Sequence, residues 1–317
     1  MAADIGAIIA GFVMLFLGGE GLVRGSVGIA ERFGLSKLII GLTVVAFGTS
    51  APELVVAVDA ALGGAPEIAL GNVVGSNIAN ILLILGISLL VAPIAIRGRA
   101  GLRDAMIAGL GSLVLFGLVL GDVIDRMEGG ILLLILAVYL AASYLRERRG
   151  NGQSVLEQEA DEFRTDGPQS LRFLALLVAG GIVALVLGAE FLVSGSVSVA
   201  RSLGVSDAVI GLSVVAIGTS LPELATAVVA AYRRHADVVL GNVIGSNIFN
   251  ILAILGVTSL IQPVAVADRF REFDVPFMMG ASGVLIFILF AAKRMGRATG
   301  AAMLIAYCAY MIILFAK

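Results

Sequence analysis

Two glutamates, Glu53 and Glu223, each sit inside a long apolar stretch and end the same run. The runs are Gly48-Thr49-Ser50-Ala51-Pro52-Glu53 and Gly218-Thr219-Ser220-Leu221-Pro222-Glu223. Pro52 has no N–H, so the carbonyl of Gly48 four residues earlier loses its helical donor, and the ring crowds that carbonyl as well. Carbonyls freed at membrane depth are tolerated only where protein or a wet cavity supplies a new partner, and a bound cation is such a partner. A carboxylate in mid-membrane costs on the order of 3 kcal/mol on insertion scales. No lysine or arginine lies in the central part of any expected helix. The missing positive charge therefore points to a transported ion or to protons. The plainer alternative is a pair of protonated acids bonding between helices; two identical proline-broken contexts weigh against it.

A second set of polar residues accompanies each glutamate. Asn72, Ser76 and Asn80 are spaced i, i+4, i+8 and so share one helix face, with Asn77 beside them. Asn242, Ser246, Asn247 and Asn250 repeat the pattern. Such side chains can be interhelical glue, but beside a broken glutamate segment they read as oxygen ligands, with Asn72 and Asn242 equally suited to packing. The set offers carboxylate, carbonyl, hydroxyl and amide oxygen. His235 is the only histidine and Cys308 the only cysteine. Hard cations such as Ca²⁺ and Na⁺ suit these oxygens, whereas Zn²⁺ or Cu⁺ would want nitrogen or sulfur. Two ionised glutamates balance one Ca²⁺, and Na⁺ competing for the same oxygens would couple the two fluxes.

The elements that must position these residues are membrane helices. The chain is 59% hydrophobic and 14% charged, against about 45–50% and about 25% in soluble domains. Apolar stretches long enough to cross a bilayer recur throughout, and no strand-like alternation suggests an outer-membrane barrel. Shifting the sequence by 170 residues lays 20–95 over 190–265 with 42 of 76 positions identical, the mark of an internal repeat. Each half holds five apolar segments, at about 5–29, 38–62, 67–94, 103–121 and 128–145, then about 172–199, 208–231, 238–264, 274–292 and 299–316. Five is odd, so the second half enters from the opposite face. The expected fold is all-α, a polytopic membrane protein of ten transmembrane helices in two inverted five-helix repeats. Its expected divisions are 1–145, a cytoplasmic linker 146–171, and 172–317. About 16 of the 21 basic residues fall on the linker's face, which places that face in the cytoplasm and both termini outside. The first apolar stretch lacks a basic leader and reads as a retained helix.

The paired motifs, with GNVVGSNIANILLILG and GNVIGSNIFNILAILG, resemble the α-repeats of the Ca²⁺/cation antiporter superfamily, specifically its prokaryotic sodium/calcium exchanger-like branch. The resemblance implies that Glu53 and Glu223 bind both Ca²⁺ and Na⁺, and that Thr49 and Thr219 offer backbone carbonyls. It further implies that Ser50, Ser76, Ser220 and Ser246 complete Na⁺ sites, with Asn80 and Asn250 as further ligands. Asn250 departs from members, K⁺-dependent ones among them, that carry Asp there, which argues against K⁺ dependence. The first and sixth helices are expected to slide as a gate over the other eight. The expected function is exchange of Ca²⁺ for Na⁺ across an inner membrane of a prokaryotic host; Ca²⁺/H⁺ antiport through the same glutamates is the alternative, and a cation channel a weaker one. No metalloprotease or nucleophile-elbow motif suggests an enzyme. Beyond transported Ca²⁺, Na⁺ or H⁺ and the lipid bilayer, no cofactor, nucleic acid or obligate protein partner is implied. Glu20 and Glu190 are repeat mates, and Arg24, one turn after Glu20, is its expected partner.

Overall fold

The computed structural model describes residues 2–33, 37–63, 66–96, 100–149, 170–203 and 218–316. The first half runs α1 (Ala2–Phe33), α2 (Lys37–Ile40), a π-turn Gly41–Val45, α3 (Ala46–Thr49) and α4 (Ala51–Leu62). It continues with α5 (Pro66–Ala79), a π-turn Asn80–Ile84, α6 (Leu85–Val91), β1 (Ile94–Ala95), α7 (Ala100–Leu118), β2 (Val123–Ile124) and α8 (Arg126–Arg149). The second half runs α9 (Leu171–Ser202), α10 (Leu221–Tyr232), α11 (Ala236–Phe249), a π-turn Asn250–Ile254, α12 (Leu255–Ile261) and β3 (Val264–Ala265). A π-turn Phe270–Asp274, α13 (Val275–Ala291), β4 (Arg294–Met295) and α14 (Arg297–Ala316) complete it. Of the expected segment 208–231, residues 208–217 lie outside the described residues. So does most of the expected linker, although α8 continues to Arg149, past the expected boundary at 145.

Eight described helices are long and apolar enough to cross a bilayer, and the pair Gly41–Thr49 and Ala51–Leu62, bent by 48° at its break, passes the same length and hydropathy test when taken together. The spans Ile68–Val91 and Ala236–Ile261 are 78% and 94% buried, against 17–39% for the other spans. These two helices, which carry the asparagine stripes, are therefore the centre of the molecule. Outside them the surface is apolar: Phe12, Phe16, Leu134 and Phe290 are all exposed, as lipid contact requires.

Backbone approach between α1 and α9 is set by glycine. A Cβ built on Gly18 would lie 2.8 Å from the Leu185 nitrogen, and one on Gly11 2.7 Å from the Leu192 nitrogen. Gly181 meets Leu22 and Gly18, Gly188 meets Leu15 and Gly11, and Gly195 meets Asp4. Partners descend along α9 as residues ascend along α1, so the two helices run antiparallel. These glycines join α1 to α9 along one close backbone seam. The two-residue strands also join the halves, β1 to β4 and β2 to β3, both antiparallel.

Candidate cation site

The helix breaks where proline predicts. Ser50 (φ −83°, ψ 7°) and Ser220 (φ −90°, ψ 7°) leave helical geometry, and α4 and α10 begin directly after them with proline in their first turn. Across the first break the ladder is carried by Ser50, whose N–H bonds to the Ala46 carbonyl (3.0 Å) and whose carbonyl accepts from the Leu54 N–H (3.2 Å). Glu53 and Glu223 thus stand in the first turns of two helices. Unpaired N–H groups and the positive end of the helix dipole favour a carboxylate there. The two acids face one another: both are 1% exposed, and their carboxyls lie within electrostatic reach of each other.

Hydroxyls and amides from both halves surround them. Ser50 Oγ donates to Glu223 Oε1 at 2.9 Å, and Ser220 Oγ donates to Ser76 Oγ at 3.5 Å. Thr49 Oγ1 lies 3.3 Å from both the Ala46 carbonyl and Asn242 Oδ1. Asn80 Nδ2 donates to Asn247 Oδ1 at 3.0 Å, and Asn247 Nδ2 donates to the Asn77 carbonyl at 3.4 Å. The amide of Asn80 is thereby turned so that its Oδ1 has no protein partner; the same holds for Asn250 Oδ1, Ser246 Oγ, Thr219 Oγ1, Glu53 Oε2 and Glu223 Oε2. Of the ten expected site residues nine are buried, and Thr219, at the edge of the described chain, is half-buried. Unpartnered oxygens at such depth are costly to leave uncompensated, and all are hard ligands.

Two features were not legible in the sequence. Asn72 Nδ2 donates to the Glu53 carbonyl (3.3 Å) and Asn242 Nδ2 to the Glu223 carbonyl (3.4 Å). Each pins the helix turn that bears a glutamate, a role beyond packing. In addition, π-turns open at Asn80 and at Asn250, where the N–H of Leu85 and of Leu255 bonds back five residues. π-turns inside α-helices frequently mark functional sites; here they begin at the asparagines themselves. Elsewhere, the partner of Glu20 is Arg233 and not the expected Arg24: Arg233 grips both its carboxylate oxygens, Nε at 3.0 Å and a terminal NH₂ closer still. Its repeat mate Glu190 is exposed, and Gly63 occupies the position matching Arg233.

Comparison with known proteins agrees with this geometry. The sodium/calcium exchanger protein family model matches residues 4–145 and 173–316. The sodium/calcium exchanger MaX1 of Methanosarcina acetivorans is 32% identical over 342 residues, covering 97% of each chain. The inner membrane protein YrbG of Escherichia coli is 33% identical over 316 residues, covering 97% of this chain and 95% of that one. The structure of the sodium-calcium exchanger NCX_Mj soaked with 2.5 mM Na⁺ and 10 mM Sr²⁺ superposes with a TM-score of 0.82 at 32% identity, covering 100% of this chain and 99% of that one. A bundle of apolar helices matched along its whole length to exchangers is neither a soluble protein nor an enzyme: this chain is a multi-span integral membrane protein of the sodium/calcium exchanger family, a cation antiporter.

Proposed function

We propose that the protein exchanges Ca²⁺ for Na⁺ at a single mid-membrane site in which Glu53 and Glu223 carry the charge. The observation behind this reading is the meeting of two buried first-turn glutamates from the two halves, each with one carboxyl oxygen that no protein group satisfies. Two carboxylates neutralise one Ca²⁺, with Asn80, Asn250, Ser50, Ser76, Ser220, Ser246 and the carbonyls of Thr49 and Thr219 completing an all-oxygen shell. Na⁺ ions occupying the same oxygens exclude Ca²⁺, and that competition couples the fluxes. Alternating access then requires the site to open to one face at a time, by movement of the α1–α9 unit against the rest. The exposed asymmetry around Glu20 and Glu190 fits one of two such arrangements.

The same reading takes the halves, 1–145 and 172–317, as five-helix repeats of opposite orientation, ten crossings in all. Exchanged contacts support it: Gly11 meets Gly188 while Gly18 meets Gly181, each pair being the other's repeat mates at an offset of 170. Ser112 Oγ likewise lies 3.4 Å from Ser282 Oγ, its own mate. The basic-residue bias supports termini outside and the 146–171 linker in the cytoplasm, and the inner-membrane relative supports placement there.

Uptake of radiolabelled Ca²⁺ into proteoliposomes tests the counter-ion. An outward Na⁺ gradient is expected to drive saturable uptake with no pH gradient present. If only an imposed pH gradient drives it, the exchange is with protons; if Ca²⁺ flows with no counter-ion, the protein conducts as a channel. The carbonyl clamps give a further expectation. Asn72→Leu or Asn242→Leu removes one hydrogen bond that fixes a glutamate turn, and half-saturation for Ca²⁺ should rise about tenfold, the equivalent of one such bond. An unchanged Ca²⁺ half-saturation in both variants would make these asparagines packing residues only.

A further inference from the structure

Around the last two helices of each half, shape and charge change together between the repeats. Between α13 and α14 runs an apolar groove of about 490 Å³, lined by Phe277, Gly280, Val284, Ala302, Met303 and Ala306 among others. The repeat supplies an internal control. Strand pairing aligns Val123 with Arg294 and Ile124 with Met295, so the offset is 171 in the last helix of each half. Arg126 and Arg297 confirm it, each bonding through Nε to matching carbonyls of Leu260 and Leu90. At that register Ile131 and Ile135 of α8 stand where α14 has Ala302 and Ala306; at the offset of 170 that relates Ser112 to Ser282, Leu110 of α7 stands where α13 has Gly280. Three large aliphatics of the first half are replaced by small residues, and the groove is the space they leave.

The turn at the groove's end changes sign. In the first half it carries Asp122, Asp125 and Glu128 around Arg126; in the second it carries Lys293, Arg294 and Arg297 with no acid. All three cations are exposed. From Pro276 to Ile288 the groove follows α13 for about 18 Å, close to one leaflet of a hydrocarbon core about 30 Å thick. We propose that the groove holds one acyl chain of an anionic phospholipid, with its phosphate against Lys293, Arg294 and Arg297. A second copy of this chain fits less well, because a two-fold axis along the membrane normal would bring like-charged turns together. The site is separate from the ion-binding glutamates.

Native mass spectrometry of the full chain in detergent, titrated with phosphatidylglycerol or with phosphatidylcholine of the same acyl chains, tests it. Wild type should retain phosphatidylglycerol preferentially. Lys293→Gln with Arg294→Gln should lower that preference by about thirtyfold, as expected for two cations near the membrane surface. Ala302→Ile with Ala306→Ile should weaken both lipids. Gly280→Leu offers an independent filling variant, since a Cβ there meets nothing within 4 Å. Melting and elution profiles identify any variant that misfolds. Equal retention of the two lipids by wild type, or undiminished retention by folded groove-filled variants, overturns the proposal. So does a groove-filled variant that turns a dimer into a monomer with lipid binding unchanged.

Discussion

Glu53→Gln, and separately Glu223→Gln, is expected to abolish Na⁺-driven Ca²⁺ uptake while leaving the protein folded. Glutamine keeps the shape and one acceptor oxygen, so Ser50 can still donate to residue 223 as it does at 2.9 Å. On the proposed reading, what disappears is one of two negative charges facing a divalent cation out of contact with water. Removing one partner from a buried, hydrogen-bonded charge pair costs about 3–5 kcal/mol, or roughly two to four orders of magnitude in Ca²⁺ affinity. Thermal stability should move the other way or not at all. Both acids are 1% exposed, and burying two like charges side by side is itself unfavourable. Ca²⁺ uptake and detergent melting curves measured on the same preparations separate the two effects. Uptake retained in both variants would put the cation site elsewhere; loss of uptake with collapse of melting would mean the glutamates hold helices together instead of cargo.

The contrast between what was and was not legible in the sequence has a physical basis. The break at Gly48 to Glu53 could be read because proline's missing N–H is a local, covalent fact, and it reappears as the non-helical Ser50 and Ser220. The stripe of Asn72, Ser76 and Asn80 could be read because helical spacing is also local. By contrast, the clamp of Asn72 on the Glu53 carbonyl depends on how α5 packs on α4, and spacing along one helix carries no such information. The π-turns at Asn80 and Asn250 escape for a related reason: NILLILG and NILAILG have no residue that demands a five-residue hydrogen bond, so the wider turn is imposed by the packing of the two most buried spans. Glu20 illustrates the error in the other direction. Helical spacing nominates Arg24, one turn away, yet the bidentate grip comes from Arg233 at the end of α10, brought in only by the tertiary fold. That pairing also has no mirror image, because Gly63 stands where the repeat would place its arginine. Repeats that share 42 of 76 positions therefore predict a common architecture, while differences between mates locate where the halves behave differently.

The glycine seam yields the second large effect. Gly181→Ala is expected to lower transport about tenfold, whereas Gly180→Ala, one residue away on the same helix, is expected to be close to neutral. At Gly181 an added Cβ would lie 2.6 Å from the Leu22 nitrogen and 2.8 Å from the Gly18 carbonyl oxygen; at Gly180 it would meet nothing within 4 Å. The atoms that block Gly181 are main chain, so no side chain can turn aside, and α1 and α9 must part. Forcing extra volume into a packed contact typically costs about 1–3 kcal/mol, and without a hydrophobic drive between helices in lipid, close backbone packing is what holds such a pair. Helix propensity cannot produce the difference, since both variants make the same glycine-to-alanine change in mid-helix. Gly11→Ala, facing the Leu192 nitrogen at 2.7 Å, should reproduce the defect from the other side of the seam. Under the proposed alternating access, in which α1 and α9 move together as the site opens to one face and closes to the other, transport should suffer more than folding; once parted, displacement of one no longer carries the other. Turnover and melting temperature measured for Gly181→Ala, Gly11→Ala and Gly180→Ala decide the matter. Equal turnover in all three would mean that the two helices need not act as one body.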